Sequence, residues 1–261
     1  MPSAAASLSI PDLAGKAVLV TGASTGIGAA LARAYAEQGC KVGVHYNESR
    51  EAAEKLAAEI GKKGGEVFVT QGDFARSVDV TRVVEDTAKH FGRLDGLVNN
   101  AGGMLGRVPY AEMSDEQYDR VMDLNARSVI TASRVAIPWL KKNGGFIVNT
   151  SSIAARNGAG GGAGIYGSAK SFVSNVTRGM AKELIGNGIR VNAVAPGVIA
   201  TPFHERYSTA EQMKGMIATI PQGRAGTAED CVGAYLFLSS DLLSGYITGQ
   251  VIEVNGGQLM P

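Results

Sequence analysis

Tyr166 and Lys170 stand four residues apart and therefore share one face of a predicted helix. A free tyrosine titrates near pH ~10, too high for an efficient base, but a neighbouring ammonium favours the phenolate. The pair is a candidate proton donor and acceptor. Alone, this spacing is usually only a surface pair. It gains weight from Ser151 and Ser152 at the end of the preceding predicted strand, where a hydroxyl can hydrogen-bond a substrate oxygen that gains charge.

A glycine-rich turn joins the first predicted strand to the first predicted helix. It reads TGASTGIG from Thr21 to Gly28. Glycines let the backbone turn sharply and approach a pyrophosphate, which the free N–H groups and dipole of a helix N-terminus attract. This position, at the start of a βαβ unit, is the context that a dinucleotide site needs. The same letters match the G-x-S-x-G nucleophile elbow of serine hydrolases, but so few residues precede the turn that we disfavour that interpretation.

Three further positions carry amides or a carboxylate at predicted element ends or inside a helix. The segment 99–103 (NNAGG) closes the fourth strand, where small residues suit a backbone that passes a ligand, although a plain Asn/Gly turn has the same composition. Asn125 lies inside a long predicted helix, where Asn is a mediocre helix former, so a kinked or exposed position is the alternative. Asp73 follows the third strand, where a helix N-cap or turn is the ordinary role.

Short β-branched runs alternate with longer amphipathic stretches along the chain. Several strands are continuously apolar (AVLV, GLVN, FIVN, VNAVA), as expected when both faces are buried. The pattern predicts an α/β fold: a Rossmann-type doubly wound parallel sheet of about seven strands with helices on both faces. The predicted strands are 17–21, 41–46, 66–71, 96–99, 145–150, 190–195 and 251–255. The predicted helices are 27–38, 50–63, 78–91, 115–142, 166–187 and 228–239.

No linker interrupts this alternation, so we expect one domain over residues 1–261, with a flexible N-terminal tail at 1–12. Two segments break the pattern: a Gly-rich loop at 157–164 (NGAGGGAG) and an irregular or short-helical insertion at 201–219. Both follow strands, and doubly wound sheets bind ligands beyond the carboxyl ends of their strands. Residues 201–219 are therefore a candidate substrate lid.

The composition disfavours several classes of function. The chain has 35 glycines among 261 residues, about twice the usual share, without the three-residue period of collagen. Its formal net charge is +1 and no basic stripe carries interleaved aromatics, so we expect no nucleic-acid partner. No apolar run is long enough to span a bilayer, so we expect no membrane attachment. Cys40, Cys231 and three scattered histidines predict buried thiols, a cytoplasmic protein and no metal site.

Together these motifs resemble those of the short-chain dehydrogenase/reductase family in its single-domain form. They follow the family's order: TGASTGIG, Asp73, NNAG at 99–102, Asn125, Ser152, YGSAK at 166–170 and PGVIAT at 196–201. One such motif is weak evidence, whereas the series in order is specific. The resemblance implies a Rossmann fold, a nicotinamide dinucleotide and hydride transfer to or from a carbonyl or alcohol carbon.

The resemblance also implies catalytic roles. Tyr166 would be the general acid/base, and Lys170 would bind the nicotinamide ribose and lower the pKa of Tyr166. Ser152 would orient the substrate oxygen, and Asn125 would hold a water in a proton relay. Ser152 lies 14 residues before Tyr166, one more than in many members of the family. Ser151 is therefore the neighbouring candidate, and we favour Ser152.

The implied cofactor contacts lie mainly in the turns that follow strands. They are Gly22, Ser24, Thr25, Gly26, Ile27, Gly28, Tyr46, Asn47, Ser49, Arg50, Asp73, Phe74, Asn99, Ala101, Gly102, Tyr166, Lys170, Pro196, Gly197, Ile199 and Thr201.

The end of the second strand distinguishes the two nicotinamide dinucleotides. Members that prefer NAD typically carry an Asp there, which binds the ribose 2′-hydroxyl and repels a 2′-phosphate. Here Tyr46 takes that place by strand alignment, and Glu48 matches the acid only by residue count. Asn47, Ser49 and Arg50 are candidates to receive a phosphate. NADP is therefore the predicted cofactor, with NAD as the alternative.

The predicted function is an NADP-preferring oxidoreductase that acts on a carbonyl or secondary alcohol, either a 3-oxoacyl thioester on a carrier protein or a sugar or polyol. A carrier reductase should show a basic patch, for which Arg127 and Arg134 are candidates. The lid residues His204, Glu205 and Arg206 would suit a polar substrate. The alternative is a nicotinamide-sensing binding module that has lost catalysis, which would be expected to lose the tyrosine or the lysine.

Surplus apolar residues on two long helices predict a homo-oligomer, a tetramer or a dimer, as is common in the family. They are Val129, Ile130, Val135, Phe172, Val173 and Val176.

Overall fold

Seven parallel strands form one sheet in the computed structural model, which describes residues 9–260. The strands are β1 Ala17–Val20, β2 Lys41–Tyr46, β3 Val67–Gln71, β4 Gly96–Asn99, β5 Gly145–Thr150, β6 Ile189–Pro196 and β7 Val251–Val254. Their order in the sheet is β3-β2-β1-β4-β5-β6-β7, and each neighbouring pair is parallel. The predicted fold class is confirmed. The strand order reverses between β1 and β4, which creates the crevice in which doubly wound sheets bind ligands.

Helices cover both faces of the sheet. They are α1 Gly26–Glu37, α2 Arg50–Lys62, α3 Ser77–Phe91, α4 Asp115–Met122, α5 Ser128–Leu140, α6 Ala154–Asn157, α7 Gly164–Leu184, α8 Pro202–Tyr207, α9 Ala210–Ile217, α10 Ala228–Ser239 and α11 Asp241–Ser244. Within residues 9–260, none of the helices has both the length and the apolar character needed to cross a membrane.

Two apolar clusters lie on opposite faces of the sheet and are built from alternate residues of the same strands. Val18 and Val20 pack in the cluster that holds α1, α2 and α10, whereas Leu19 packs in the cluster that holds α3, α5 and α7. All three side chains are fully buried. This two-sided burial explains why the strands are continuously apolar in the sequence.

The long helix predicted over 115–142 is interrupted in the structure. α4 ends at Met122, a π-helical turn follows over Asp123–Arg127, and α5 begins at Ser128. Asn125 lies in this turn and is fully buried, so of the two alternatives it is a kinked position and not an exposed one. π-Helical turns are frequent at functional sites.

The predicted N-terminal tail is only partly covered by the structure. Residues 1–8 lie outside the described residues. The prediction was wrong for residues 10–12, because Pro11–Leu13 form a 3-10 turn and Leu13 is fully buried. The Asp12 carboxylate also accepts hydrogen bonds from the Ser240 hydroxyl and from the main-chain N–H groups of the next two residues. These contacts fasten the segment to the start of α11.

Two of the apolar residues predicted as surplus belong to the core instead. Val129 is 3% exposed and Val173 is fully buried, because both point from their helices into the body of the protein. Phe172, by contrast, is 40% exposed. The apolar surface available on these two helices is therefore smaller than the sequence predicted.

Candidate active site

A cleft of about 940 Å³ runs along the carboxyl ends of the strands, from the turn after β1 to the segment 201–219. The predicted site residues that line it are Gly22, Ser24, Thr25, Gly26, Ile27, Gly28, Asn47, Ser49, Phe74, Ala101, Gly102, Ser152, Tyr166, Lys170, Pro196, Gly197, Ile199 and Thr201. The five that do not line it are Tyr46, Arg50, Asp73, Asn99 and Asn125. The fold thus brings most of the scattered motifs to one side of the sheet.

The turn after β1 needs its glycines. Gly22 and Gly26 have φ angles of +62° and +55°, in the left-handed region that favours glycine. A Cβ atom at Gly28 would overlap the carbonyl oxygen of Gly22. The turn therefore folds back tightly on the first turn of α1, which leaves the helix N-terminus open to the cleft.

Four hydrogen bonds join this turn to the end of β4. Thr21 Oγ1 accepts hydrogen bonds from the main-chain N–H groups of Asn100 and Ala101, each at 2.9 Å. Asn100 Nδ2 donates to the carbonyl oxygens of Thr21 and Gly22, at 2.9 and 3.1 Å. No role of their own was predicted for Thr21 and Asn100. Their only signal was membership in the TGASTGIG and NNAG motifs.

His45, near the end of β2, is a third residue whose role at the cleft the sequence did not predict. Its Nδ1 accepts a hydrogen bond from Gly22 N at 2.9 Å, and its Nε2 lies 3.0 Å from the carbonyl oxygen of Gly72. Its ring stacks on Phe74, with 3.9 Å between the ring centroids. Burial lowers the pKa of His45 to about 4, so the ring is neutral at neutral pH.

The segment after β2 differs from the prediction at Tyr46 and Arg50. Tyr46 is 8% exposed and packs in the cluster with α1 and α2, because strand alternation turns it away from the cleft. Arg50 is exposed and its Nε donates to Glu54 Oε1 at 2.7 Å. The cleft is lined instead by Asn47, Glu48 and Ser49.

The side chains of Asp73 and Asn99 form hydrogen bonds within the protein. Asp73 Oδ1 accepts a hydrogen bond from Ala75 N, an Asx-type turn at the end of β3. Asn99 is 3% exposed, and its Nδ2 donates to Ser133 Oγ and Asn149 Oδ1. Neither side chain lines the cleft, so the structure does not place these two side chains where they were predicted to contact a cofactor.

Ser152, Tyr166 and Lys170 converge at the inner end of the cleft. Ser152 follows β5, and its Oγ accepts a hydrogen bond from Ala154 N at 3.1 Å beside Tyr166, which lies in the first turn of α7. One turn further along α7, Lys170 Nζ donates to Thr150 O at 2.8 Å and lies 5.7 Å from the centroid of the Tyr166 ring. The predicted helix-face pairing of Tyr166 and Lys170 is therefore present.

Burial dominates the electrostatics of this group. It raises the pKa of Tyr166 to about 12, an effect that the hydrogen bond from Ser152 partly offsets. Burial lowers the pKa of Lys170 to about 8. The expected lowering of the tyrosine pKa by the lysine is not what this geometry produces, because desolvation of the phenolate is the largest effect. At neutral pH the tyrosine carries its proton.

The two serines at the end of β5 have different surroundings. Ser151 is 2% exposed, and its Oγ donates to Lys170 O at 3.1 Å and lies 2.6 Å from Ser174 Oγ. Ser152, which is half-buried, is the one whose hydroxyl lies beside Tyr166 and lowers its pKa. The geometry thus supports the choice of Ser152.

Asn125 positions the loop beside the lysine. Its Nδ2 donates to Gly103 O and Val121 O, at 2.8 and 2.9 Å, and its Oδ1 accepts from Gly103 N at 3.1 Å. A Cβ at Gly102 would lie 2.8 Å from Asn125 Oδ1 and 3.1 Å from Lys170 Nζ. Asn125 and Lys170 therefore flank Gly102 closely.

The segment 201–219, which we call the lid segment, forms α8 and α9 over the inner end of the cleft. The ring of Phe203 lies 5.7 Å from that of Tyr166 and 5.1 Å from that of Tyr207. Arg107, in the loop after β4, donates from Nε to Tyr207 O at 2.8 Å. It thereby joins this loop to the lid segment.

Comparisons with known proteins agree with this geometry. The family model described as "Enoyl-(Acyl carrier protein) reductase" matches residues 22–258. The chain belongs to the short-chain dehydrogenase/reductase family, and it is an oxidoreductase of the type that acts on carbonyl or CH–OH groups.

Curated relatives and solved structures place it more closely. A 3-oxoacyl-[acyl-carrier-protein] reductase from Synechocystis is 39% identical over 95% of this chain and 98% of its own. A reductase of the same description from Staphylococcus aureus is also 39% identical, over 94% of this chain and 98% of its own. A crystal structure described as an NADH-dependent reductase responsible for alginate metabolism, complexed with NAD, has a TM-score of 0.86 and 36% identity, and covers 97% of this chain and 100% of its own.

Proposed function

We propose that the protein reduces a carbonyl compound to a secondary alcohol, with NADPH as the hydride donor. The observation that carries this proposal is the contact of the Ser152 side chain with Tyr166, with Lys170 one helical turn away, at the end of a cleft that begins at a glycine-rich helix N-terminus. The bound dinucleotide would supply the hydride. The remaining chemistry belongs to residues of this chain.

Tyr166 donates the proton in this proposal. Its raised pKa of about 12 keeps the hydroxyl protonated at neutral pH, which suits an acid that protonates the oxygen of a reduced carbonyl. Ser152 orients the same oxygen by a hydrogen bond. Lys170, with a pKa of about 8, keeps most of its positive charge at neutral pH and favours negative charge on the neighbouring oxygens.

Asn125 has a positioning role in this scheme. Its side chain bonds only Gly103 and Val121 within the described residues, so it fixes the loop that carries Gly102 past Lys170. A water of a proton relay held at Asn125 stays a prediction.

The preference for NADPH rests on the segment after β2. No aspartate faces the cleft there, and Asn47 and Ser49 offer hydrogen bonds beside the start of α2. Ser49 is the N-cap of α2, and its side chain makes no capping hydrogen bond, so it is available to an anion. The Glu48 carboxylate would repel a 2′-phosphate. Arg50 lies outside the cleft and pairs with Glu54, so it adds nothing to the binding of a phosphate. NADH is the alternative donor.

For the substrate, the names of the curated relatives favour a 3-oxoacyl thioester, whereas the polar lid segment favours a sugar or polyol. Of the two arginines proposed for the basic patch that a carrier protein would bind, only one lacks a carboxylate partner among the described residues. Arg127 Nε pairs with Asp123, which leaves Arg134 as the exposed candidate without a carboxylate partner in the described chain. The inactive, dinucleotide-sensing alternative requires a broken catalytic group, and Ser152, Tyr166 and Lys170 are all in place.

We further propose a cytoplasmic homodimer or homotetramer. Tyr118 on α4 and Phe172 on α7 are 46% and 40% exposed, and such apolar surface is the kind that a second copy would cover. Light scattering at micromolar concentration tests this directly, and a monomeric mass would refute it.

The experiment that tests the proposed activity is a screen of the purified protein with NADPH and with NADH. It should include 3-oxoacyl thioesters, oxo acids and their esters, and simple sugars and polyols, with the absorbance of reduced nicotinamide as the readout. Oxidation of NADPH that depends on one class of carbonyl supports the proposal. Dinucleotide binding without turnover of any class would favour the sensing module.

A further inference from the structure

The inner end of the cleft is lined by positive and neutral side chains. Arg107 from the loop after β4 and Arg206 from α8 both line it, together with Lys170. Among the described residues that line the cleft, Glu48 is the only carboxylate, and it lies after β2 with the nucleotide-binding turns. Glu205 is next to Arg206 in the sequence but does not line the cleft. The substrate end therefore has an excess of positive charge.

Arg107 lacks a counter-charge. Nine arginines of the described chain pair with a carboxylate, whereas five have none within 4.0 Å, and of these five only Arg107 and Arg206 line the cleft. Arg107 donates only to main-chain carbonyls: from Nε to Tyr207 O, and from Nη1 to Gly161 O at 3.2 Å and Gly160 O at 3.5 Å. Its Nη2 has no acceptor among residues 9–260. This half-buried guanidinium therefore has Nη2 available to donate a hydrogen bond to an anion.

The position of Arg107 links that anion to the substrate and not to the dinucleotide. Its three carbonyl acceptors belong to the Gly-rich loop and to the lid segment, which carries Phe203 against the ring of Tyr166. The charge of Arg107 also reaches His204 on α8 and, after burial, is the second cause of its lowered pKa. The positive potential is thus local to the lid segment.

We propose that the substrate carries a carboxylate of its own beside the carbonyl that is reduced, and that Arg107 binds this carboxylate and selects for it. The planar guanidinium suits a carboxylate better than a neutral hydroxyl or ester, since it can offer two parallel N–H donors. Arg206 adds positive charge at the same end of the cleft. This inference rests on the proposed reduction of a carbonyl, and it favours a small oxo acid over a thioester held on a carrier protein.

The test compares oxo acids with their methyl esters. For 2-, 3- and 4-oxo acids and the matching esters, kcat/KM is measured with NADPH for the unmodified protein and for Arg107→Gln and Arg107→Lys. The acid should exceed its ester by at least about tenfold in the unmodified protein, and this ratio should fall towards one in Arg107→Gln. Arg107→Lys, which keeps the charge without the planar fork, should retain an intermediate ratio. Arg120→Gln is the control, since Arg120 is an exposed arginine of α4 outside the cleft.

Two results would overturn the inference. If Arg107 only holds the lid segment in place, its replacement should lower kcat/KM for acid and ester alike and leave their ratio unchanged. If the substrate is a thioester, a 3-oxoacyl pantetheine thioester should be reduced better than every oxo acid by the unmodified protein.

A binding measurement separates failure of this inference from failure of the proposed function. Calorimetry records the binding of pentanedioate, and of its dimethyl ester, to the complex with NADP⁺. Binding of the diacid alone, lost in Arg107→Gln, supports the anion site even if no carbonyl is turned over. Equal or absent binding of both compounds contradicts the site whatever the activity.

Discussion

His45 Nδ1 accepts a hydrogen bond from the main-chain N–H of Gly22, so the end of β2 holds the glycine-rich turn after β1. The same ring reaches the carbonyl oxygen of Gly72 through Nε2. A carbonyl oxygen only accepts, so Nε2 carries the proton and Nδ1 does not. A second proton, on Nδ1, would face the N–H of Gly22. The turn that begins the cleft therefore depends on a neutral histidine.

The stability of the protein should consequently fall in mild acid. In the folded protein the pKa of His45 is about 4, below the ordinary histidine pKa of 6.5, so between these values the unfolded chain takes up a proton that the folded chain does not. Stability is fully retained above the unfolded value and is lost as pH falls towards the folded one, by about 3 kcal/mol in total. Urea unfolding at a series of pH values measures this slope. His45→Asn should flatten it, and His90→Asn, which changes an exposed histidine, should not. Equal slopes for all three proteins would refute the explanation.

Gly28→Ala should damage the turn itself. The added methyl group would overlap the carbonyl oxygen of Gly22 and lie 2.7 Å from Asn100 Nδ2, which is itself bonded to that carbonyl oxygen, so there is little room for relaxation. We expect a loss of about 1–3 kcal/mol of stability and much weaker binding of the dinucleotide. Gly61→Ala is the matched control, because nothing lies within 4 Å of a Cβ at that position of α2, and it should stabilise by up to about 1 kcal/mol. Dinucleotide affinity of Gly28→Ala equal to that of Gly61→Ala would contradict a close approach of ligand and turn.

Lys170 should set a pH limit on reduction. Burial lowers its pKa to about 8, so the ammonium is present below that pH and is lost as the pH rises through it. We expect kcat/KM for reduction to fall above about pH 8, since this parameter reports groups of the free enzyme. Lys170→Arg should abolish this fall of kcat/KM above about pH 8, because a guanidinium does not lose its proton in that range. A fall that persists unchanged in the arginine variant would assign the titration to another group.

The segment after β2 predicts the order of affinities for the two dinucleotides. NADPH should bind more tightly than NADH, and Glu48→Gln should widen the difference by removing the carboxylate in the cleft wall. Asn47→Asp should narrow or reverse the difference between the two affinities. An aspartate at position 46, the place that strand alignment indicates, would not face the cleft, because Tyr46 packs in the core. Paired titrations at fixed ionic strength test this. Tighter binding of NADH by the unmodified protein would assign the ribose to Glu48.

The sequence predicted the sheet well because its signals are local. Short β-branched runs, several of them continuously apolar, identified all seven strands to within one residue at each end. The sequence offered a kink at Asn125 only as one alternative, since the interruption accompanies bonds to Gly103, 22 residues away. His45 escaped prediction for the same reason, because its partners Gly22 and Gly72 lie on two other turns. Motifs revealed the residues that face the cleft, and long-range hydrogen bonds revealed those that hold them.

The placement of Tyr46 and Ser151 shows the other limit of sequence patterns. Both stand beside motif positions, and one step along a strand turns a side chain to the opposite face. Tyr46 therefore packs against helices while Asn47 reaches the cleft. Ser151 and Ser152 both line the cleft, but the Ser151 hydroxyl bonds α7. The observed side-chain contacts distinguish the members of each pair.

The most direct test of the account is the turnover of Tyr166→Phe. This change keeps the ring that packs near Phe203 and removes only the hydroxyl beside Ser152. The rate of carbonyl reduction should fall by about two to four orders of magnitude, the usual contribution of a general acid. Binding of NADPH, followed by the fluorescence of the reduced nicotinamide, should stay within about twofold, since the glycine-rich turn is untouched. Turnover near that of the unmodified protein, with NADPH still bound, would show that Tyr166 is not the proton donor.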